Sequence, residues 1–155
     1  MRLVAASAVS VIVAATAAFA QSPHSGYGNW FGYGERGDLI VMTVKSRPGL
    51  MIGCKQGALS LALLSTEKRD DGLTAGEELS VRFQADRAAP VETKGRARNV
   101  RSLDVEDASS IVRQIKDAKR VTFEIATASG KRFVRRYDVN GAQRALGQIA
   151  AHCPF

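Results

Sequence analysis

Basic side chains are the residues of this sequence whose type and spacing most clearly suggest a chemistry. They are concentrated in two short segments, KGRARNVR and KRFVRRY, and alternation along an extended chain would put several of them on one face. Such a face could bind an anionic lipid headgroup, an acidic glycan or an acidic partner protein, or it could be a solvated surface that prevents edge strands from pairing. The candidate anion-binding or partner-binding residues are Lys94, Arg96, Arg98, Arg132, Arg135 and Arg136.

The first twenty residues have the pattern of a secretory signal peptide. Arg2 precedes a long uncharged run, which ends at the small-residue site Ala18-Phe19-Ala20. A basic start, an apolar run and an A-x-A site are typical of a leader that is removed after export, whereas an uncleaved anchor would need a more strongly apolar run. We therefore expect cleavage after Ala20 and a periplasmic mature protein, with no transmembrane segment and no nucleic-acid partner.

The two cysteines, Cys54 and Cys153, are the next candidates for chemistry. An exported protein with two cysteines can form one intramolecular disulfide, which would hold the C-terminal end onto the rest of the domain. The alternative is a catalytic or metal-binding thiol at Cys153, assisted by the adjacent His152. Neighbouring residues point in different directions on a strand or a helix, so this adjacency does not indicate a catalytic pair. The sequence predicts a Cys54–Cys153 disulfide.

Other motifs for catalysis or metal binding are missing from the sequence. Its two histidines, His24 and His152, lie in no recognisable Ser-His-Asp, G-x-S-x-G or H-E-x-x-H pattern. Residues 65–68 match S-x-x-K, but the companion motifs of penicillin-binding proteins do not accompany them. Zinc would need clusters of Cys and His that the chain lacks. We predict a non-enzymatic binding or accessory protein with no cofactor and no metal; the alternative is a small periplasmic enzyme with an unrecognised site.

Residues 21–37 form a segment rich in glycine and aromatic residues. Glycine, serine and proline interrupt it and no strand or helix periodicity persists, which favours a linker or irregular arm. Its Trp30 and Phe31 suggest a partner-binding patch, because aromatic side chains carry much of the binding energy at interfaces. The alternative is that both side chains fold back and cover an edge of a sheet.

Residues 38–155 must position these side chains, and their pattern predicts a single α+β domain. Several segments alternate apolar and polar residues as half-buried strands do, for example at Leu79, Val81 and Phe83. Two later segments repeat apolar residues at helical spacing, the first with Asp104 as its N-cap and the second from Ala142. The order of strands, helix, hairpin and helix predicts an antiparallel sheet with two helices packed on one face, and one disulfide.

The region from Leu50 to Cys153 resembles a group of small proteobacterial periplasmic proteins related to the type VI secretion-associated accessory family (VasI/TagO-like). The likeness rests on Cys54 in an early strand, on the segment VRFQAD, on a helix–strand unit at residues 115–123 and on the C-terminal run VNGAQRALGQIAAHC. The resemblance implies a disulfide-bonded domain of the cell envelope with a non-enzymatic role. Together with the basic segments, it makes an envelope protein or an anionic envelope component, either lipid headgroup or cell-wall glycan, the expected partner.

Overall fold

The computed structural model describes residues 25–35, 38–43, 49–65 and 73–155, and the predicted signal peptide lies outside the described residues. The described chain forms one sheet and two helices, α1 (Ala108–Asp117) and α2 (Ala142–Ala150). The strands are β1 (Ser25–Tyr27), β2 (Trp30–Glu35), β3 (Asp38–Thr43), β4 (Gly49–Lys55), β5 (Ala58–Leu64), β6 (Glu78–Ala85), β7 (Val91–Asn99), β8 (Ser102–Val105), β9 (Arg120–Thr127) and β10 (Arg132–Asp138).

The described strands pair antiparallel throughout, in the order β1-β2-β3-β4-β5-β8-β7-β6-β9-β10. Strand β8 joins the two halves of the sheet, because it pairs with β5 on one side and with β7 on the other. Gln56 and Gly57 form the two-residue turn between β4 and β5, both with positive φ (50° and 81°). Two consecutive positive φ values are what the tight hairpin turn between twisted strands requires.

One face of the sheet and the apolar faces of the helices form a continuous core. Strand β6 buries Leu79, Val81 and Phe83 while the residues between them are exposed, as the alternation predicted. Helix α1 contacts β5 and β6, α2 contacts β1 to β3, and the helices contact each other. The rings of Phe83 and Phe123 lie 5.1 Å apart in a tilted arrangement. The predicted antiparallel sheet with two helices is confirmed, although the sheet makes up more of the domain than the α+β prediction implied.

The first helix begins after Asp107 rather than after Asp104. Asp104 lies in β8, where its Cα partners are Ala62 of β5 and Arg96 of β7. Pairing with a strand on each side outweighs the local preference of this aspartate for a helix N-terminus, which is worth only about 1 kcal/mol. The prediction of an Asp104 cap is therefore wrong, and the side chain belongs to the sheet.

Residues 25–27 and 30–35 are strands of the sheet, which corrects the predicted irregular arm for these residues; the rest of the predicted arm, at 21–24 and 36–37, lies outside the described residues. Strand β2 pairs with β1 on one side and, along its whole length, with β3 on the other. Trp30 is completely buried, and its Nε1–H donates a hydrogen bond of 3.1 Å to the Val139 carbonyl. The Asn29 N–H donates to the Asn140 carbonyl at 3.2 Å. The first hairpin thus contacts residues 139 and 140, which directly follow β10.

The predicted Cys54–Cys153 disulfide is confirmed. Cys54 lies on β4 and Cys153 follows α2, with Cα atoms 5.8 Å apart and a sequence separation of 99. Both cysteines are buried, and the Cys153 N–H donates to the Ile149 carbonyl at 2.8 Å. Helix α2 also buries Ala145, Leu146 and Ile149 on one face. The disulfide and this apolar face together hold α2 against the sheet.

Candidate anion-binding surface

The outward face of β7, β6, β9 and β10 carries five of the six predicted basic residues, and we call it the basic face. The register aligns its side chains in rows that run across the four strands. One row consists of Lys94, Ser80, Ala126 and Arg132, and the next consists of Glu92, Arg82, Glu124 and Val134. Alternation turns the intervening residues of each strand toward the core.

Two of the three predicted cations on β7 are held in ion pairs. Arg96 Nη2 lies 3.0 Å from Glu78 Oε1, and Arg98 donates two hydrogen bonds, of 2.6 and 3.1 Å, to the carboxylate of Asp104. Both pairs are exposed, so they add little stability, but each one neutralises a positive charge. Lys94 is exposed on the same strand, and no acidic side chain in the described ranges forms a salt bridge with it.

The cations predicted on β10 divide between the two faces of the strand. Arg132 and Arg136 are exposed on the basic face, again without a salt bridge to any acid among the described residues. Arg135 is only 5 % exposed and points to the opposite face, where its guanidinium carbon lies 5.5 Å from the centroid of the Phe133 ring. Its assignment to an anion-binding face is therefore corrected, because neighbouring residues of a strand point to opposite sides.

A shallow groove crosses the basic face between Lys94 and Arg132. One part of it has a volume of about 300 Å³ and is lined by Arg82, Arg132 and Val134, among others. The adjoining part has a volume of about 190 Å³ and includes Lys94 in its lining. Ser80 and Ala126 line both parts, and because their side chains are small, they leave space above the sheet between the larger side chains on either side. Lys94 and Arg132 are three strand spacings apart, about 14 Å, so their long side chains can reach a ligand group between them.

Arg82 is a cation of the groove that the predicted set of basic residues did not include. It lies 3.4 Å from Glu92 on one neighbouring strand and 3.8 Å from Glu124 on the other. The signal in the sequence was its position between the buried Val81 and Phe83, which directs it outward. Its row therefore has a cation between two carboxylates, whereas the row from Lys94 to Arg132 has none within the four strands. Glu106, directly after β8, is the residue opposite Lys94 on the other side.

Asp86, the other charged residue of the VRFQAD segment, has a structural role at the end of β6. Its Oδ2 accepts a hydrogen bond from the Lys119 N–H at 3.0 Å, and its Oδ1 accepts one from the Arg120 N–H at 2.9 Å. These two backbone bonds lower the pKa of the Asp86 carboxyl below its ordinary value, and the charges of Arg120 and Lys119 act in the same direction. The carboxylate thereby fixes the start of β9 to the end of β6.

The two aromatic residues predicted to bind a partner lie in different environments. Trp30 has no exposed surface and cannot contact a partner in this fold, which corrects its assignment. Phe31 is partly buried on the opposite face of β2, with its ring 6.1 Å from that of Tyr33, which is 43 % exposed. Of the two predicted residues, only Phe31 therefore reaches the surface.

Metal-binding clusters and membrane-spanning helices are not found in the described ranges. Among those residues, no group of three or more His, Cys, Asp or Glu side chains could hold a metal ion. Within the same ranges, no helix is both long enough and apolar enough to cross a membrane.

Comparisons with known proteins locate the fold among solved structures. No protein-family model matches the chain, and no curated protein matches it. A crystal structure of invasion associated protein B from Bartonella henselae is similar, with a TM-score of 0.58 and 18 % sequence identity. The similarity covers 84 % of this chain and 97 % of that chain. At this identity the likeness concerns architecture alone: the chain has the fold of invasion associated protein B.

Proposed function

We propose that this chain is an exported, non-enzymatic binding or accessory protein of the cell envelope, and that its basic face contacts an anionic envelope component. The observation that carries the proposal is the difference between the two sets of cations on that face. Arg82, Arg96 and Arg98 have carboxylate partners, whereas Lys94, Arg132 and Arg136 are exposed and form no salt bridge with a described acid. Unneutralised cations on one surface attract anionic partners.

The disulfide and the N-terminal leader support the periplasmic part of the proposal. Disulfides persist in oxidising compartments and are rare in the cytosol. The pattern of residues 1–20 is that of a leader for export. The resemblance to the VasI/TagO-like accessory family supports a role beside an envelope or secretion assembly.

The test is cosedimentation of the mature protein with anionic liposomes and with purified cell-wall sacculi, at low and at moderate salt. A triple variant, Lys94→Gln, Arg132→Gln and Arg136→Gln, removes the three cations that form no salt bridge with a described acid. Each cation near an anionic membrane contributes on the order of 1 kcal/mol, so the variant should bind roughly a hundredfold more weakly. Binding of the wild type should also weaken as salt rises, because the Debye length is only about 8 Å at physiological ionic strength.

A matched control separates the basic face from net charge. Lys55, Arg113 and Arg144 are exposed on other parts of the molecule, and replacing these three residues by Gln changes the net charge by the same amount. We expect this control to bind like the wild type. Equal losses in the two triple variants would mean that overall charge, and not the basic face, determines binding, and binding to neither target by the wild type would refute the proposal.

A further inference from the structure

The backbone of β10 has hydrogen-bonding groups directed away from the sheet. Strand β10 stands at the end of the strand order and pairs with β9, and no other described strand pairs with it. The Thr127 N–H donates to the Lys131 carbonyl and the Val139 N–H donates to the Lys119 carbonyl, both at 2.9 Å. Positions 131 and 139 are therefore hydrogen-bonded to Thr127 of β9 and to Lys119, directly before β9, at the two ends of an uninterrupted register.

This register identifies which backbone groups point outward. In an antiparallel pair, hydrogen-bonded residue pairs alternate with pairs that are not hydrogen-bonded. Arg132, Val134 and Arg136 fall at the second kind of position, so their N–H and C=O groups point away from β9. An added strand would hydrogen-bond to these three residues.

The same three residues present their side chains on the basic face. Arg132 and Arg136 are exposed there, and Val134 between them is 47 % exposed. In an added strand, the residue opposite each of them would also place its side chain on this face, close enough to interact. The edge therefore offers a pattern of cation, apolar residue and cation, at alternate positions.

Charge complementarity selects the occupant of this edge. A second copy of the chain that paired β10 with β10 antiparallel, centred on Val134, would place Arg132 opposite Arg136 and bring like charges together. Basic residues on an edge strand are a known protection against such self-pairing. The same residues are complementary to a strand that has acidic residues at the two outer positions.

We infer that the outer edge of β10, with which no described strand other than β9 pairs, binds an extended peptide segment of a partner protein, in which two acidic residues flank an apolar residue at alternate positions. The segment would add a strand to the sheet, with its backbone bonded to Arg132, Val134 and Arg136, as in other cases of strand addition. This inference rests on the backbone register at the edge and not on net charge, so it can fail while the proposed function holds.

The experiment uses the full mature protein and the blocked heptapeptide TETVTET, whose two glutamates and valine would face Arg132, Arg136 and Val134. Binding is followed by chemical-shift changes in an NMR titration. One derivative is N-methylated at both glutamates and at the valine, and its matched control is N-methylated at three threonines. The glutamate and valine amides would point to β10, so methylation there should weaken binding roughly tenfold or more, while the control should bind like the parent peptide.

Two further measurements test the charge pattern and the edge itself. The variant Arg132→Glu with Arg136→Glu should lose affinity for TETVTET and gain affinity for TKTVTKT. The amides of Arg132, Val134 and Arg136 should exchange quickly with solvent in the free protein and become protected when the peptide binds. Equal binding of the two N-methylated peptides, absence of binding, or amides already protected in the free protein would each overturn the inference.

Discussion

Replacing both cysteines by alanine tests how the C-terminal end of the domain is held. The disulfide closes a loop with a sequence separation of 99. For a loop of about 100 residues, the chain-entropy model gives a stabilisation of about 4.7 kcal/mol through restriction of the unfolded chain. Measured losses in small secreted domains are typically 2–5 kcal/mol, so we expect the free energy of unfolding to fall by roughly that amount. At about 4 °C per kcal/mol for a domain of this size, the thermal midpoint should fall by roughly 8–20 °C.

The assay is thermal and urea denaturation of the Cys54→Ala, Cys153→Ala double variant beside the oxidised wild type. The urea m-value should rise in the variant, because an unfolded chain without the crosslink exposes more surface. Wild type kept in reductant is the matched control, and it should unfold close to the double variant. If the midpoints of all three samples agree within about 2 °C, burial of Ala145, Leu146 and Ile149 is sufficient to hold α2, and the reasoning is refuted.

Three other substitutions test contacts elsewhere in the fold. Trp30→Phe removes the donor to the buried Val139 carbonyl, and urea denaturation should show a loss of about 1–3 kcal/mol. Because the native pKa of Asp86 is lowered, its carboxylate stabilises the fold above about pH 4, and this contribution disappears as the pH falls through the native pKa. Urea titrations across pH should therefore show Asp86→Asn less stable than wild type at neutral pH, with the difference shrinking in acid. Gly141→Ala adds a Cβ that overlaps the Tyr27 carbonyl oxygen at a φ of 90°, so its thermal midpoint should fall by an amount corresponding to roughly 1–3 kcal/mol.

A different result for each of the three variants would contradict the reasoning behind it. An unchanged Trp30→Phe variant would mean that the Val139 carbonyl finds another donor. A stability difference for Asp86→Asn that stays constant from neutral to acidic pH would show that ionisation of the carboxyl is not the cause. A Gly141→Ala protein with wild-type stability would show that the β1–β2 turn can move away from this position without loss.

Local patterns in the sequence predicted the elements whose burial is periodic. Alternation at Leu79, Val81 and Phe83 corresponds to the buried face of β6, and the helical stripe from Ile111 to Ile115 corresponds to the buried face of α1. The disulfide could be predicted because a chain with two cysteines has one possible intramolecular pairing. The strand and helix predictions succeeded because each depends on residues that are close in sequence. The disulfide prediction succeeded because two cysteines allow only one intramolecular pairing.

The misassigned residues depend on which strands pair and in which register, and local patterns in the sequence do not specify either. Trp30 lies in a glycine-rich segment without periodicity, and its burial depends on Val139, a separation of 109 residues. Asp104 has the local signature of a helix cap, but it pairs with β5 and β7. Arg135 follows a hairpin turn of uncertain length, and a shift of one residue exchanges the two faces of a strand. The direction of the N–H and C=O groups of β10 also follows from the register alone, so it could not be predicted without the length of this turn.

The disulfide also determines how the domain would respond to mechanical force. Tension applied between residue 25 and the C-terminus would reach Cys153 and pass through the sulfur bridge to Cys54. The intervening chain, which includes α1 and the whole basic face, would then carry no load. With a sequence separation of 99 and at most about 3.4 Å of extension per residue step, roughly 340 Å of contour length cannot extend until the bridge is reduced. In an oxidised molecule, strands β6 to β10 are therefore isolated from a pull on the ends, and only the segment before Cys54 and the last residues after Cys153 can extend.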